Sequence, residues 1–304
     1  MSRSLSRTVR SGFIATISLV GSTAHAQMWT DSLRSVVNAR IAQVPGAVVG
    51  VAFHDLGSEI RLNINGDTLF HAASTMKVPV MIEYFRAVDA GRIAANQSVL
   101  LLNRFSSIVD GSPYSLDAGD DSDSSLYRLV GTRVSVSQLV ERMIMRSSNL
   151  ATNAVIALVD ANAATATAHT LGAPSIRVLR GVEDNLAFRQ GLNNVTSPID
   201  LAVLLEAIER RRAASPGSCN AMLAILKRQE FNEEIPAGLP SGTPVAHKTG
   251  WITGVLHDAA VVYPPDRAPY VLVVLTKGIP EEKTARALIV DISRAFWQAT
   301  QNRR

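Results

Sequence analysis

The chain has 304 residues, 47% of them hydrophobic and 18% charged, and contains one cysteine. That composition excludes an intrinsically disordered chain, and no apolar run approaches the roughly 20 residues of a membrane span. A formal net charge of +4 and a pI near 9.4 point toward an acidic partner, nucleic acid or anionic lipid, unless the charges are accounted for elsewhere.

The first element in the chain accounts for them. Arg3, Arg7 and Arg10 precede an apolar stretch from Phe13 to Val20, and Ala24-His25-Ala26 follows before Gln27. A basic start, a short apolar centre and an A-x-A site describe a secretory leader over residues 1–26, cleaved on export to the periplasm or the medium. This segment holds three Arg and no acidic residue, so the remaining 278 residues carry 27 basic against 26 acidic side chains. The basic excess is mostly a targeting signal, and neither a nucleic-acid partner nor a membrane anchor is expected. Export implies an oxidising compartment, yet Cys219 has no intrachain partner. Lying in Ser218-Cys219-Asn220-Ala221 with no nearby His, it reads as a half-buried helical cysteine rather than a nucleophile.

Trp29, Leu33, Val36, Val37 and Ile41 repeat at helical spacing, and Pro45-Gly46 ends that helix. Ala47 to Phe53 and Glu59 to Ile64 read as strands joined by a hairpin at 55–58. A helix runs from Ser74 to about Ala90, with Gly91 as its stop. Periodicity is lost from Asn103 to Tyr127. Asp117, Asp120, Asp121 and Asp123 lack the central Gly and final Glu of a helix–loop–helix calcium site, which leaves a solvated surface loop.

Helices resume at Ser135–Arg146, Asn149–Val159 and Ala161–Thr170. A long irregular stretch from Gly172 ends at Ser197-Pro198, an N-cap followed by a favourable first helical residue. Helices run from there to Arg211 and from Ser218 to about Arg228. Val245–Trp251, His257–Tyr263 and Tyr270–Thr276 are strand-like, with short connections that favour antiparallel pairing. Pro280, with Glu281 and Glu282 in the first turn, opens a final helix ending near Trp297. The expected fold is α+β: a five-stranded antiparallel sheet built by both chain ends (27–72 and 229–304) and flanked by the terminal helices, with an all-α insertion at 73–228. The cleft between the two halves is the expected site.

Only five of the 30 basic residues are Lys, and two of them fall in motifs. In Ser74-Thr75-Met76-Lys77, the i,i+3 spacing places the amine beside the hydroxyl, which a partly desolvated lysine can activate as a nucleophile. The same pattern also describes an N-cap serine with a solvated lysine. Lys248-Thr249-Gly250 opens a strand suited to docking an amide substrate and its carboxylate. Ser147-Ser148-Asn149 supplies a hydroxyl that could relay a proton and an amide that could hold substrate, or simply caps a helix. His54, His71, His169, His247 and His257 show no i,i+4 pair, so no metal or other cofactor is expected.

These three motifs, in this order and over nearly the whole exported chain, resemble the penicillin-recognising serine hydrolases, and within them the class A β-lactamases. The resemblance implies a β-lactamase/transpeptidase-like fold and acyl transfer through Ser74, with Lys77, or Glu183 through a water, as base. It implies an oxyanion site at the Ser74 and Trp251 amides, with Ser147 and Lys248 handling the leaving nitrogen and the substrate carboxylate. Asn149, Thr249 and Gly250 would bind substrate, and Trp251 would face its side chain or close the cleft.

The sequence departs from the family pattern at three points. Ser148 stands where Asp is usual, removing a carboxylate that helps fix the helix junction. Arg180-Gly181-Val182-Glu183-Asp184-Asn185 offers Glu183 as the deacylation base and Arg180 as a loop anchor, bound to Asp184, but Ala187 falls where the family has Asn. His257 stands in for an Arg that helps bind the substrate carboxylate, unless it is simply buried. The expected substrate is a β-lactam or a peptidoglycan-like acyl compound, and the expected state a monomer. A related amide or ester hydrolase with slow β-lactam turnover, and a non-catalytic sensor, are the competing functions.

Overall fold

Near-continuous apolar runs at both ends of the chain pair into one buried sheet. In the computed structural model residues 17–302 are described, with side chains from Ala26 onward. The basic half of the expected leader lies outside the described residues. The five strands are β1 (Val48–Asp55), β2 (Arg61–Ile64), β3 (Val245–Ile252), β4 (Val255–Val262) and β5 (Tyr270–Lys277). Their order is β2-β1-β5-β4-β3, and every pairing is antiparallel. The expected sheet therefore forms. Its two halves, some 200 residues apart in sequence, join along β1 and β5, with Val48 opposite Lys277 and Asp55 opposite Tyr270.

Because successive strand residues face opposite sides, each strand serves two cores. Val51, Phe53, Leu272 and Val274 face the terminal helices α1 (Ile17–Ile41) and α9 (Glu282–Gln301). Leu33 and Val37 of α1 meet Leu288, Ile292 and Phe296 of α9 in that layer. Val36 does not share it, being 54% exposed on the other side of α1. Phe53 is the centre of an aromatic group, with ring centroids 4.9 Å from Phe296, 5.4 Å from Tyr270 and 5.8 Å from Trp29.

Ala52, Ala259, Val273 and Leu275 face the opposite way, into a core shared with the helices of 73–228. These are α2 (Lys77–Asp89), α3 (Val136–Met145), α4 (Asn149–Val159), α5 (Ala161–Thr170), α6 (Asn185–Arg189), α7 (Pro198–Glu209) and α8 (Pro216–Leu226). Ser197 caps α7 by accepting from the Asp200 amide, with Pro198 as its first residue. α7 lies on β1, β4 and β5, so the helical insertion shares its core with the inner face of the sheet. Cys219 sits in α8, fully buried. At the centre α2 is packed by α3, α4, α5 and α8, and the site is built at its N-terminal end.

Three two-stranded stitches (70–71 with 195–196, 98–100 with 133–135, 105–106 with 113–114) tie loops of the helical part together. Segments of two or three residues carry no periodicity, which is why the sequence reading did not find them. Replacing Phe53 by Ala should cost about 3–5 kcal/mol, the usual value for emptying a buried aromatic site. Urea unfolding would measure it, and because Phe53 lies on the face turned away from α2, the activity of the folded fraction should be retained.

Candidate active site

Residues Ala73–Met76 form one turn of 3-10 helix leading directly into α2. Ala73 adopts a positive φ of 44° and donates its N–H to His71 Nδ1 at 3.0 Å, which orients the turn. Three residues after Ser74, Lys77 is completely buried. Its Nζ lies 2.6 Å from the Ser147 carbonyl oxygen, 3.1 Å from Asn149 Oδ1, 3.1 Å from Ser147 Oγ and 2.9 Å from Ser74 Oγ. A neutral amine has two N–H donors and one lone pair. The Ser147 carbonyl and the Asn149 amide oxygen can only accept, so they take the two donors and leave the lone pair for a hydroxyl hydrogen. Burial, and after it the charge of Lys248, hold the Lys77 ammonium form well below its ordinary pKa, with Asp121 and Glu183 acting in the opposite direction. The result is a dry amine beside Ser74.

The second motif closes over the first. Ser147 is held at φ 56°, in the left-handed region, between α3 and α4. Its hydroxyl stands 3.1 Å from both Lys77 Nζ and Lys248 Nζ, so a proton could pass through it between the two amines. Lys248 is buried too, donates to the Thr249 carbonyl at 2.8 Å, and is pushed down to about 7 by desolvation against the opposing charges of Asp258 and Glu234. Asn149 uses both ends of its amide: Oδ1 accepts from Lys77, and Nδ2 donates to Glu183 Oε1 at 2.9 Å.

Glu183 is thus in the site, at a third positive φ of 62°. Desolvation, joined by the charges of Asp121 and Asp120, raises its pKa, while the Asn149 hydrogen bond works against the rise. The loop carrying it is held by two asparagines. Asn153 bonds both the amide and the carbonyl of Val182, and Asn194 does the same for Arg180 while also accepting from Leu179. Gly181 is required there, since a Cβ would lie 2.6 Å from Tyr114 Oη and 2.9 Å from Asn153 Oδ1. Arg180 does anchor the loop, but its hydrogen bonds do not go to Asp184, which acts on it only by its charge at longer range. Its guanidinium donates to the Leu192 and Gly181 carbonyls and to Asn193 Oδ1, whereas Asp184 caps α6 and accepts from Ser107 and the Ile108 amide. Main-chain acceptors reach into the loop where the Asp184 carboxylate, turned toward 107–108, does not.

Strand β3 is the sheet edge and passes the Ser74 turn so closely that a Cβ on Gly250 would stand 3.1 Å from the Ser74 nitrogen. Ser74, Ser147, Asn149, Glu183, Thr249, Gly250 and Trp251 line a cleft of about 850 Å³, with Lys77 and Lys248 buried beneath it. Trp251 is 55% exposed at its rim.

His257 is not brought to this surface. It pairs opposite Gly250 and so lies on the inner face, fully buried and edge-on to Phe70 at 5.8 Å. Its Nε2 is 2.9 Å from the His71 carbonyl oxygen, and its Nδ1 accepts from the Thr276 amide at 3.2 Å. Burial pushes it down to about 4, leaving no charge for a substrate carboxylate. The cations on the cleft wall are Arg180, tied to its own loop, and, on the side of α9, Arg286, engaged by Glu233, Glu234 and Glu282. Sequence reasoning missed Arg286; the Glu282–Arg286 i,i+4 spacing was the one available signal. The acidic loop also differs from expectation. Asp121 and Asp123 are buried, Asp123 paired with Arg142 and Arg146.

A serine beside a buried lysine, a second serine between two lysines, and a carboxylate held over them define an active-site serine hydrolase. The profile of the β-lactamase enzyme family matches residues 32–300, and the chain belongs to that family as a serine hydrolase of the β-lactamase type. It is 27% identical over 298 residues to a β-lactamase of Streptomyces albus G, covering 93% of this chain and 92% of that one. Its identity to the β-lactamase Toho-1 of Escherichia coli is 26% over 277 residues, 90% of each chain. Among solved structures, PBP-A superposes with a TM-score of 0.77 at 29% identity, over 89% of this chain and 96% of that one. A β-lactamase of Sphaerobacter thermophilus superposes with 0.75 at 30%, over 89% and 97%.

The burial of His257 gives a pH dependence of known sign. A folded-state value of about 4, against about 6.5 unfolded, means that the unfolded chain takes up the proton first as pH falls. The contribution is complete above about pH 6.5 and is lost as pH falls through the folded value. About 2 kcal/mol should disappear between pH 7 and pH 5. Urea midpoints at the two pH values should show a smaller difference in His257→Gln than in the wild type.

Proposed function

We propose that the protein is an exported class A-type β-lactamase that opens the β-lactam amide through an acyl-enzyme on Ser74. The observation that carries this reading is the Asn149 amide bridging Lys77 Nζ and Glu183 Oε1, which puts an acylation base and a deacylation base on the same nucleophile. Lys77 takes the Ser74 proton as Oγ attacks the carbonyl carbon, and the Ser74 and Trp251 amides receive the oxyanion. When the C–N bond breaks, the proton passes from Lys77 through the Ser147 hydroxyl to the nitrogen. A water then attacks the ester carbonyl, giving one proton to Glu183, and as the acyl C–O bond breaks that proton is returned to Ser74 Oγ, which frees the hydroxyl and restores the Glu183 carboxylate. Lys248 and Thr249 hold the substrate carboxylate. Similarity to PBP-A, a variant of which is described as an acyl-enzyme complex with penicillin G, supports the acyl-enzyme step.

Export rests on the pattern of residues 1–26. Trp29, Leu33 and Val37, which dock α1 on the sheet layer, all follow that segment, so its removal leaves them in place. Amino-terminal sequencing of the exported protein should begin at Gln27, and a product starting at Met1 would refute the leader.

With a chromogenic cephalosporin the wild type should turn over steadily. Glu183→Gln should deacylate about 10²–10⁴-fold more slowly, with the acyl-enzyme accumulating in intact mass, and Ser74→Ala should form none. A single-turnover burst in the wild type would refute β-lactamase activity and favour a slow-deacylating peptidoglycan-peptide hydrolase. Lys248, with a value of about 7, carries its charge below that pH and loses it above. KM for an anionic β-lactam should therefore rise as pH is taken from 6 to 8.5.

A further inference from the structure

Ser148 occupies the middle of the Ser147–Asn149 junction and brings no carboxylate to it. The structure assigns that carboxylate to Asp121, from the acidic loop 27 residues earlier in the chain: Asp121 is a positioning residue that holds Ser147 and Asn149 on Lys77. The assignment rests on the catalytic reading given above, which it extends. Asp121 Oδ2 accepts from the Leu150 amide at 2.9 Å, the Ser148 hydroxyl at 3.3 Å and the Tyr127 hydroxyl at 3.2 Å. Oδ1 accepts from the Asp123 amide at 2.9 Å. The residue is nine-tenths buried, and four donors converge on its carboxylate, three of them on Oδ2.

The Leu150 amide belongs to the first turn of α4, where unpaired N–H groups and the positive end of the helix dipole favour a negative charge. Ser148 caps the same turn through its Oγ, accepting from the Ala151 amide at 3.2 Å while donating its own hydrogen to Asp121. The capping serine is thereby fixed between helix and carboxylate. Its neighbour Ser147 has φ 56°, a conformation that costs free energy and persists only where its surroundings enforce it. On the other side of Ser148, Asn149 must present its amide edge to Lys77 and Glu183 together. Asp121 lines the cleft but hydrogen-bonds none of the expected substrate-handling atoms; its contacts with the junction run through Ser148 and Leu150, and its charge acts in addition on Lys77 and Glu183.

An aspartate at 148 could itself cap α4 and accept from the first-turn amides. This gives a reciprocal test, using acylation of Ser74 by a fluorescent penicillin followed by intact mass, and amide hydrogen exchange at Leu150 and Ala151. Asp121→Asn should acylate at least tenfold more slowly and exchange these amides at least tenfold faster. Ser148→Asp alone should also acylate more slowly, because two carboxylates then compete for the same donors. The double variant Asp121→Asn/Ser148→Asp should recover acylation and exchange to within about threefold of the wild type. Acylation and exchange unchanged in Asp121→Asn would overturn the assignment, as would a double variant no better than the worse single one. If the wild type formed no acyl-enzyme, the catalytic reading would fail, while exchange in the same variants would still decide whether Asp121 holds the junction.

Discussion

A lysine amine with no exposed surface constrains everything around it. The Lys77 nitrogen loses its hydration and finds only neutral oxygens within hydrogen-bond reach, so its charged form is disfavoured and its donors must be placed. Those oxygens come from the turn before α2 and from the α3–α4 junction, and Asn149 extends the chain to the loop of Glu183. One nitrogen thus determines where three separate segments meet. Each contributes a residue at positive φ next to or within the site, Ala73, Ser147 and Glu183. Conformations of this kind cost on the order of 1–3 kcal/mol each and survive where packing over-determines them.

The sheet provides that packing asymmetrically. Its outer face, with α1, α9 and the aromatic group around Phe53, joins the two chain ends at a distance from the cleft. Its inner face carries Lys248, and its edge strand passes within van der Waals reach of the Ser74 turn at Gly250. The alternation of a strand does not by itself decide which residue reaches the cleft and which becomes core. Lys248 and His257 both lie on the inner face, but Lys248 reaches Ser147, whereas His257 is enclosed by Phe70 and backbone carbonyls.

The strands of both chain ends, the helix starts at Ser135, Ser148 and Ser197, and the order of the serine and lysine motifs were legible because each rests on a local rule: apolar runs, capping chemistry, or i,i+3 spacing. The acidic loop was not. A run of aspartates with no period looks solvated, yet Asp121 and Asp123 find buried donors on α4 and its neighbouring elements. The partners of Arg180 were also illegible, because a guanidinium bonded to main-chain carbonyls leaves no charge pattern in the sequence.

By itself the sequence determined that this chain builds an α+β fold from its two ends, and its resemblance to the penicillin-recognising serine hydrolases singled out Ser74, Lys77, Ser147, Asn149 and Lys248 as the expected groups of its site. Spacing and capping chemistry suffice for the helices and strands, while the site groups were legible because three short motifs occur in the family's order. Only the tertiary structure decided which carboxylate supports the Ser147–Asn149 junction, that Glu183 lies within reach of Asn149, and that His257 is core rather than site. Those outcomes depend on contacts between segments tens to nearly two hundred residues apart, where burial and hydrogen-bond geometry, rather than residue type, select the partner.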